Sequence, residues 1–278
     1  MKIIITGHTG FLGSSLIKKL QLSNDLIGIS RNIGVSNCEI KEFLPSELMN
    51  IKVIPDVIIM CHASISSGNT SAEDQLLFDS NIAFTSELIK QFPKAYFLYI
   101  SSISVYGTQT YIINENSINS PISEYAISKL WGERIVSKTK YFGILRLSSI
   151  YGEKMKENTI IPNYVTQALE KGEIEVWGKG ERKQNYFHIS DATSYIDKII
   201  TDKKEGLFLG ASSKEISNIE LANYISKELK ASVKFVNSDC SKSLAFDNKF
   251  TRKELDIITE KDFHTGIKEY IHWRQKQF

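Results

Sequence analysis

Thr6-Gly7-His8-Thr9-Gly10-Phe11-Leu12-Gly13, or TGHTGFLG, joins an apolar run to a segment of helical spacing. Upstream, Ile3-Ile4-Ile5 is β-branched throughout and predicts a buried first strand. Downstream, Ser14-Ser15-Leu16-Ile17-Lys18-Lys19-Leu20 repeats its apolar residues at helical intervals. A strand, a glycine turn and a helix, in that order, are the layout of a dinucleotide site. Gly7 allows the tight turn, Gly10 lets a pyrophosphate approach the backbone, and Gly13 lets helix and strand pack closely. The N–H groups of the helix start, around Phe11 and Leu12, face the phosphates, and Thr9 completes the loop. The spacing is Gly-x-x-Gly-x-x-Gly, not the Gly-x-Gly-x-x-Gly of the two-half dehydrogenases.

Working outward, the second strand is predicted over Asp25–Ser30, and its end is where an acid would hold the ribose of NAD. The sequence has Ser30-Arg31-Asn32 there, a small hydroxyl and a guanidinium suited to a 2′-phosphate, so NADP(H) is expected over NAD(H). Residues 33–55 carry a short strand candidate, Glu39–Phe43, and a helical piece at Ser46–Asn50. Pro55–Ala63 reads as a strongly apolar strand running into small residues, which let a cofactor lie against the backbone at His62 and Ala63. His62 itself reads as a satisfied strand-end histidine, not a catalytic base. A long amphipathic helix is predicted over Ala72–Phe92, with the polar Asn81 tying down backbone in the next loop. Ala95–Ile100 is a further buried strand that delivers Ser101-Ser102-Ile103-Ser104-Val105-Tyr106-Gly107 to its C-terminal end, where open α/β sheets keep their chemistry. The helix predicted over Ser123–Lys138 places Tyr125 and Lys129 at i and i+4, on one face.

Composition narrows the function classes. The chain has 278 residues, with 34 basic and 32 acidic side chains and no long run of one sign, which argues against a nucleic-acid or membrane-surface partner. Cys38, Cys61 and Cys240 are far apart, lack metal-ligand spacing and read as reduced thiols. No metal site is expected. No signal-like segment and no apolar run of about 18 residues occurs, so a soluble cytoplasmic protein is expected.

Five stretches in order, TGHTGFLG, SSISVYG (101–107), YAISK (125–129), LRLSSIYG (145–152) and GKGERKQNYFHISD (178–191), resemble the extended short-chain dehydrogenase/reductase family, in its NAD(P)-dependent epimerase/dehydratase branch. The resemblance extends through Gly206–Ser212, Ile216–Glu220 and Asp247–Lys249. It implies a Rossmann-like, doubly wound parallel sheet formed by residues 1–152 and 186–212. A small C-terminal substrate-binding lobe would comprise 153–185 and 213–278. Tyr125 is then the proton donor or acceptor for a sugar oxygen and Ser102 hydrogen-bonds the same oxygen. Lys129 holds the nicotinamide ribose and lowers the tyrosine's ordinary pKa of about 10 through its charge.

The family's dehydratases carry an Asp and a Glu directly after that serine, and this chain has Ile103 and Ser104, neither able to do acid–base work. Two classes remain: an NADPH-dependent reductase of a nucleotide-linked 4-keto-6-deoxy sugar, favoured by Arg31 and by the short chain, and a nucleotide-sugar 4-epimerase using NAD. A non-catalytic NADP-binding sensor is the reading from another class. Relatives of that kind usually lose the Tyr or Lys that this chain keeps. Substrate contacts implied are Ser64, Ser104, Ser149, Arg182 and Gln184, with two departures: Gln184 stands where the family often has an Arg, and Ser149 where it has an Asn. Arg182 or Lys183 is the candidate substitute for the missing guanidinium. His188 and Trp273 read as packing. The helices 72–92 and 123–138 resemble those of a four-helix dimer contact, so a homodimer is an expectation.

Overall fold

A computed structural model describes residues 1–34, 40–65 and 70–277; Cys38 and Glu39, named above, lie outside the described residues. The strands are β1 (Lys2–Thr6), β2 (Asp25–Ile29), β3 (Lys41–Phe43), β4 (Val57–Met60), β5 (Tyr96–Ser102), β6 (Phe142–Leu147), β7 (Ser149–Tyr151), β8 (Glu173–Trp177), β9 (Lys183–His188), β10 (Gly206–Gly210), β11 (Glu215–Ser217) and β12 (Ser232–Val236). The α-helices are α1 (Phe11–Leu20), α2 (Ser71–Leu77), α3 (Phe84–Gln91), α4 (Glu124–Val136), α5 (Ile160–Lys171), α6 (Ile189–Thr201), α7 (Asn218–Leu229), α8 (Lys249–Glu254) and α9 (Phe263–Gln275).

Two compact units emerge. The first contains 1–107, 115–147 and 192–210, and is built on a seven-stranded sheet in the order β10-β6-β5-β4-β1-β2-β3. All its neighbouring strands run parallel. A parallel sheet is covered on both faces, which is why β4 reads Val-Ile-Ile-Met with every residue fully buried. Strand order reverses between β1 and β4, and the register pairs Thr6 with Met60 and Met60 with Tyr99. The strand ends that carry the glycine turn, Cys61–Ser64 and Ser102 therefore open on the same edge, at the switch point where such sheets bind ligands.

The single helix predicted over 72–92 is interrupted. α2 passes into a π-helical stretch, Phe78–Ala83, before α3 resumes the α-helical ladder. The extra residue per turn rotates Asn81 fully inward. α4 begins where a hydroxyl is available: Ser123 accepts the N–H of Ala126 at 3.2 Å, fixing the first turn in which Tyr125 sits.

The second unit contains 108–114, 148–191 and 211–278. It holds a three-stranded sheet, β11-β9-β7, and a two-stranded parallel one, β12-β8, with α5, α7, α8 and α9. Its core includes an aromatic cluster in which Tyr151 meets His188 edge-on at 5.1 Å and Tyr186 stacks on Phe263 at 5.6 Å between centroids. His188 shares a hydrogen bond with Ser190 Oγ at 2.7 Å, and burial lowers its pKa to about 4, so it is a neutral packing residue. Trp273 is half-buried beside Tyr270. Among the described residues no helix is long and apolar enough to cross a membrane, and no group of three or more His, Cys, Asp or Glu could hold a metal.

Candidate active site

The glycine turn forms as its spacing demands. Gly7 has φ +66°, a left-handed conformation unfavourable to other residues, and its N–H donates to the Ile29 carbonyl at 2.7 Å. A Cβ on Gly13 would overlap the Gly7 carbonyl oxygen and come within 2.6 Å of the His8 Cα, so only glycine lets α1 start this close to β1. Gly10 differs: a Cβ there would lie 3.2 Å from the Gly7 oxygen and otherwise face open space. It caps α1 with no side-chain acceptor and no acid in the first turn. The N–H groups at Phe11 and Leu12 thus have the donor set for a pyrophosphate, and the residues fit a dinucleotide. Gly13→Ala should cost about 2–3 kcal/mol of stability, as backbone overpacking does. Gly10→Ala should leave the melting temperature almost unchanged yet weaken binding of a nicotinamide dinucleotide; equal melting losses for both variants would contradict these separate roles.

At the end of β5, Ser102 Oγ accepts the Ser104 N–H at 3.1 Å and hydrogen-bonds the Tyr125 hydroxyl from α4. Burial raises the Tyr125 pKa, and the Ser102 bond opposes that rise. The expected lowering by Lys129 does not occur in the protein alone. Lys129 is itself almost fully buried, its ammonium 4.2 Å over the Tyr99 ring, and burial lowers its pKa to about 8 against the raising effect of Glu133. At about 8 its pKa still lies above neutrality, and its charge acts on Cys61 and His62, whereas the Tyr125 pKa is set by burial and the Ser102 bond. Tyr125 is accordingly a protonated hydroxyl at neutral pH, a ready donor.

Several supporting residues were not singled out by sequence reading. Glu133, one further turn along α4, accepts both arms of the Arg146 guanidinium at 2.9 and 2.6 Å and the Ser101 hydroxyl at 2.5 Å, all buried. Its signal was present: Tyr125, Lys129 and Glu133 recur every four residues and share a face. Asn81 does tie down backbone, but of the preceding loop, bonding the N–H and carbonyl of Ser64 at 2.8 and 3.1 Å. It also donates to Ser128 Oγ at 2.9 Å, and Ser128 in turn bonds the Tyr125 carbonyl at 2.8 Å. The loop and α4 are thereby joined. His62 Nε2 meets Thr85 Oγ1 at 3.0 Å while that hydroxyl donates to the Asn81 carbonyl, so Nε2 carries the proton and Nδ1 accepts from Thr6 at 2.6 Å. Burial lowers its pKa to about 3, consistent with a satisfied, neutral histidine.

Of the other candidates in the first unit, Arg31 is exposed after β2, Thr9 and Ser30 share a hydroxyl–hydroxyl bond at 2.7 Å, and Ala63 is half-buried. The Oγ atoms of Ser64 and Ser104 are buried without a partner among the described residues. In the second unit, Ser149 is exposed on β7 and Gln184 donates to Asn218 at 2.9 Å. Arg182 precedes β9 and lines a polar cleft of about 680 Å³ with Asn163, Tyr164, Trp177, Asn218 and Arg274. Among the described residues its Nε is buried with no partner.

Comparison with known proteins places these features in a family. Residues 3–209 match the NAD dependent epimerase/dehydratase family. A dTDP-D-glucose 4,6-dehydratase of Dictyostelium discoideum is 30% identical over 265 residues, 81% of this chain and 61% of that relative, so the match spans less than two thirds of its length. A putative UDP-glucose 4-epimerase of Methanocaldococcus jannaschii is 24% identical over 98% of this chain and 97% of its own. Among solved structures, the UDP-glucuronic acid 4-epimerase from Bacillus cereus in complex with UDP-glucuronic acid and NAD superposes with a TM-score of 0.87 at 20% identity, covering all of both chains, which establishes a shared fold.

Proposed function

The chain belongs to the NAD-dependent epimerase/dehydratase family, and from that membership we propose that it is an NADPH-dependent reductase of a nucleotide-diphosphate sugar bearing a 4-keto-6-deoxy group. The observation that carries the reading is the hydrogen-bonded Ser102–Tyr125 pair, with Lys129 one turn along the same helix. Ser102 donates to the substrate's carbonyl oxygen and orients it; Tyr125 gives that oxygen its proton as the carbonyl becomes an alcohol. Bound NADPH supplies the hydride, attached at the carbonyl carbon. Lys129 reaches the nicotinamide ribose hydroxyls. Tyr125 holds its proton before the reaction starts, and the Ser102 bond, which favours the anion, eases release of that proton against the cost of burial.

Ile103 and Ser104, in the 3₁₀ turn that follows Ser102, offer no carboxyl group, and that argues against a dehydratase. Arg31 supports NADP(H): its exposed guanidinium stands next to Ser30, where an acid would select NAD. The second unit is the substrate lobe in this reading, with Arg182 in its cleft replacing the guanidinium absent at Gln184. A 4-epimerase using NAD is the second reading, favoured by relatives such as the one from Methanocaldococcus jannaschii. The exposed Ile127 and Trp131 of α4 support a homodimer, which sedimentation of the purified protein tests.

The test follows NADPH absorbance, with NADH alongside, as the protein meets dTDP-, CDP-, GDP- and UDP-linked 4-keto-6-deoxy sugars. Stoichiometric loss with one sugar is expected. No loss with any of them, together with interconversion of unmodified nucleotide hexoses, would replace the reductase with the epimerase. Arg31→Ala should weaken NADPH about tenfold and NADH little, the loss of one charge-assisted contact; equal weakening contradicts the 2′-phosphate role.

A further inference from the structure

His8 is an unexpected occupant of a glycine turn. Its side chain is fully buried, and its ring lies over Gly28 of β2 so closely that a Cβ there would come within 2.6 Å of it. In the β2–β3 ladder Gly28 is paired with Glu42, and Glu42 Oε1 lies 2.7 Å from His8 Nε2. The other carboxylate oxygen accepts the N–H of Gly34 at 2.6 Å. Among the described residues His8 Nδ1 is buried without a partner, which a bare lone pair tolerates better than an N–H, so the proton sits on Nε2 and is donated to Glu42. Among the partners of this carboxylate are thus a donor from the phosphate turn and one from the segment after β2.

That segment is fastened at its other end as well. Ser30 gives its N–H to the Phe43 carbonyl at 3.1 Å and shares its hydroxyl with Thr9 at 2.7 Å. Arg31 lies between the two anchors, exposed. We infer that Glu42 and His8 are positioning residues for the adenosine end of the cofactor, holding Ser30–Gly34 so that Arg31 is presented to a 2′-phosphate. The inference rests on the reading of Arg31 given above. Neither residue touches the cofactor; their effect is to remove the freedom that the guanidinium would otherwise lose on binding.

Titration of the purified protein with NADPH and with NADH, followed by the fluorescence of the reduced nicotinamide and with no substrate present, tests this. Glu42→Ala frees Gly34 and should weaken NADPH about tenfold while NADH changes by less than about twofold, the loss of one charge-assisted bond. His8→Asn, too short to reach Glu42, should shift the ratio in the same direction by about threefold and provides the test if Glu42→Ala fails to fold. Added to Arg31→Ala, the Glu42→Ala change should shift the ratio no further. Equal weakening of both cofactors, or no weakening, overturns the inference. The Arg31→Ala variant alone separates the failures: a ratio unchanged there overturns the 2′-phosphate reading and this inference with it, whereas a ratio changed by Arg31→Ala but by neither of the other two overturns only the positioning role.

Discussion

Tyr125→Phe should lower turnover by about a thousandfold or more, within the range that a positioned proton donor contributes, while NADPH binds as before. The substitution removes one oxygen and keeps the ring, so the packing of α4 against the sheet survives. What disappears is the proton that the Tyr125 hydroxyl holds at neutral pH, and the hydrogen bond through which Ser102 and Tyr125 are aligned. Steady-state rates with the best substrate of the panel, set beside a cofactor titration, check both halves. Residual turnover within about tenfold of the unmodified enzyme would mean that another group donates the proton, and the assigned roles of Ser102 and Tyr125 would fall together.

Glu133→Ala should destabilise the protein by about 3–5 kcal/mol, the cost of leaving a buried charge without its partner. Arg146 is 3% exposed, and both of its bonds to a carboxylate go to Glu133. Lys129 adds to the loss. Its native pKa of about 8 lies below its ordinary 10.5, so burial penalises the charged form, and the Glu133 charge now relieves part of that penalty. For a group lowered in this way, stability is present above pH 10.5 and is lost as pH falls through 8. Removing Glu133 therefore costs more at pH 7 than at high pH. Urea unfolding of Glu133→Ala at the two pH values measures this. The compensated pair Glu133→Leu with Arg146→Met should recover the part of the loss that comes from Arg146, since no guanidinium then remains buried, while Lys129 keeps its own share. A single-variant cost below about 1 kcal/mol, the worth of an exposed pair, would show that water reaches the site.

Much of the fold was legible because it is written at short range. The glycine spacing, the apolar strands and the four-residue period linking Tyr125 to Lys129 each depend on neighbours within one or two turns of chain. Missed features follow a different rule. The π-helical stretch at Phe78–Ala83 is short and contains no glycine or proline, so nothing in the sequence marks it off from the helix on either side. Asn81 was correctly seen as a backbone anchor, but the side of the chain on which its target lay depended on how that stretch turned it. Glu133 carried a visible signal in its spacing from Lys129, though nothing local indicated that Arg146 would arrive opposite it on β6.

The sequence by itself determined where the phosphate turn forms, which strand end carries Ser102, and which helix face carries Tyr125 and Lys129. Only the tertiary structure decided the electrostatics: a lysine whose pKa burial lowers to about 8, a tyrosine whose pKa burial raises, a histidine within the glycine turn bonded to Glu42. The physical reason is that propensity and periodicity act between near neighbours, whereas desolvation and charge pairing depend on what the parallel register brings together from distant strands.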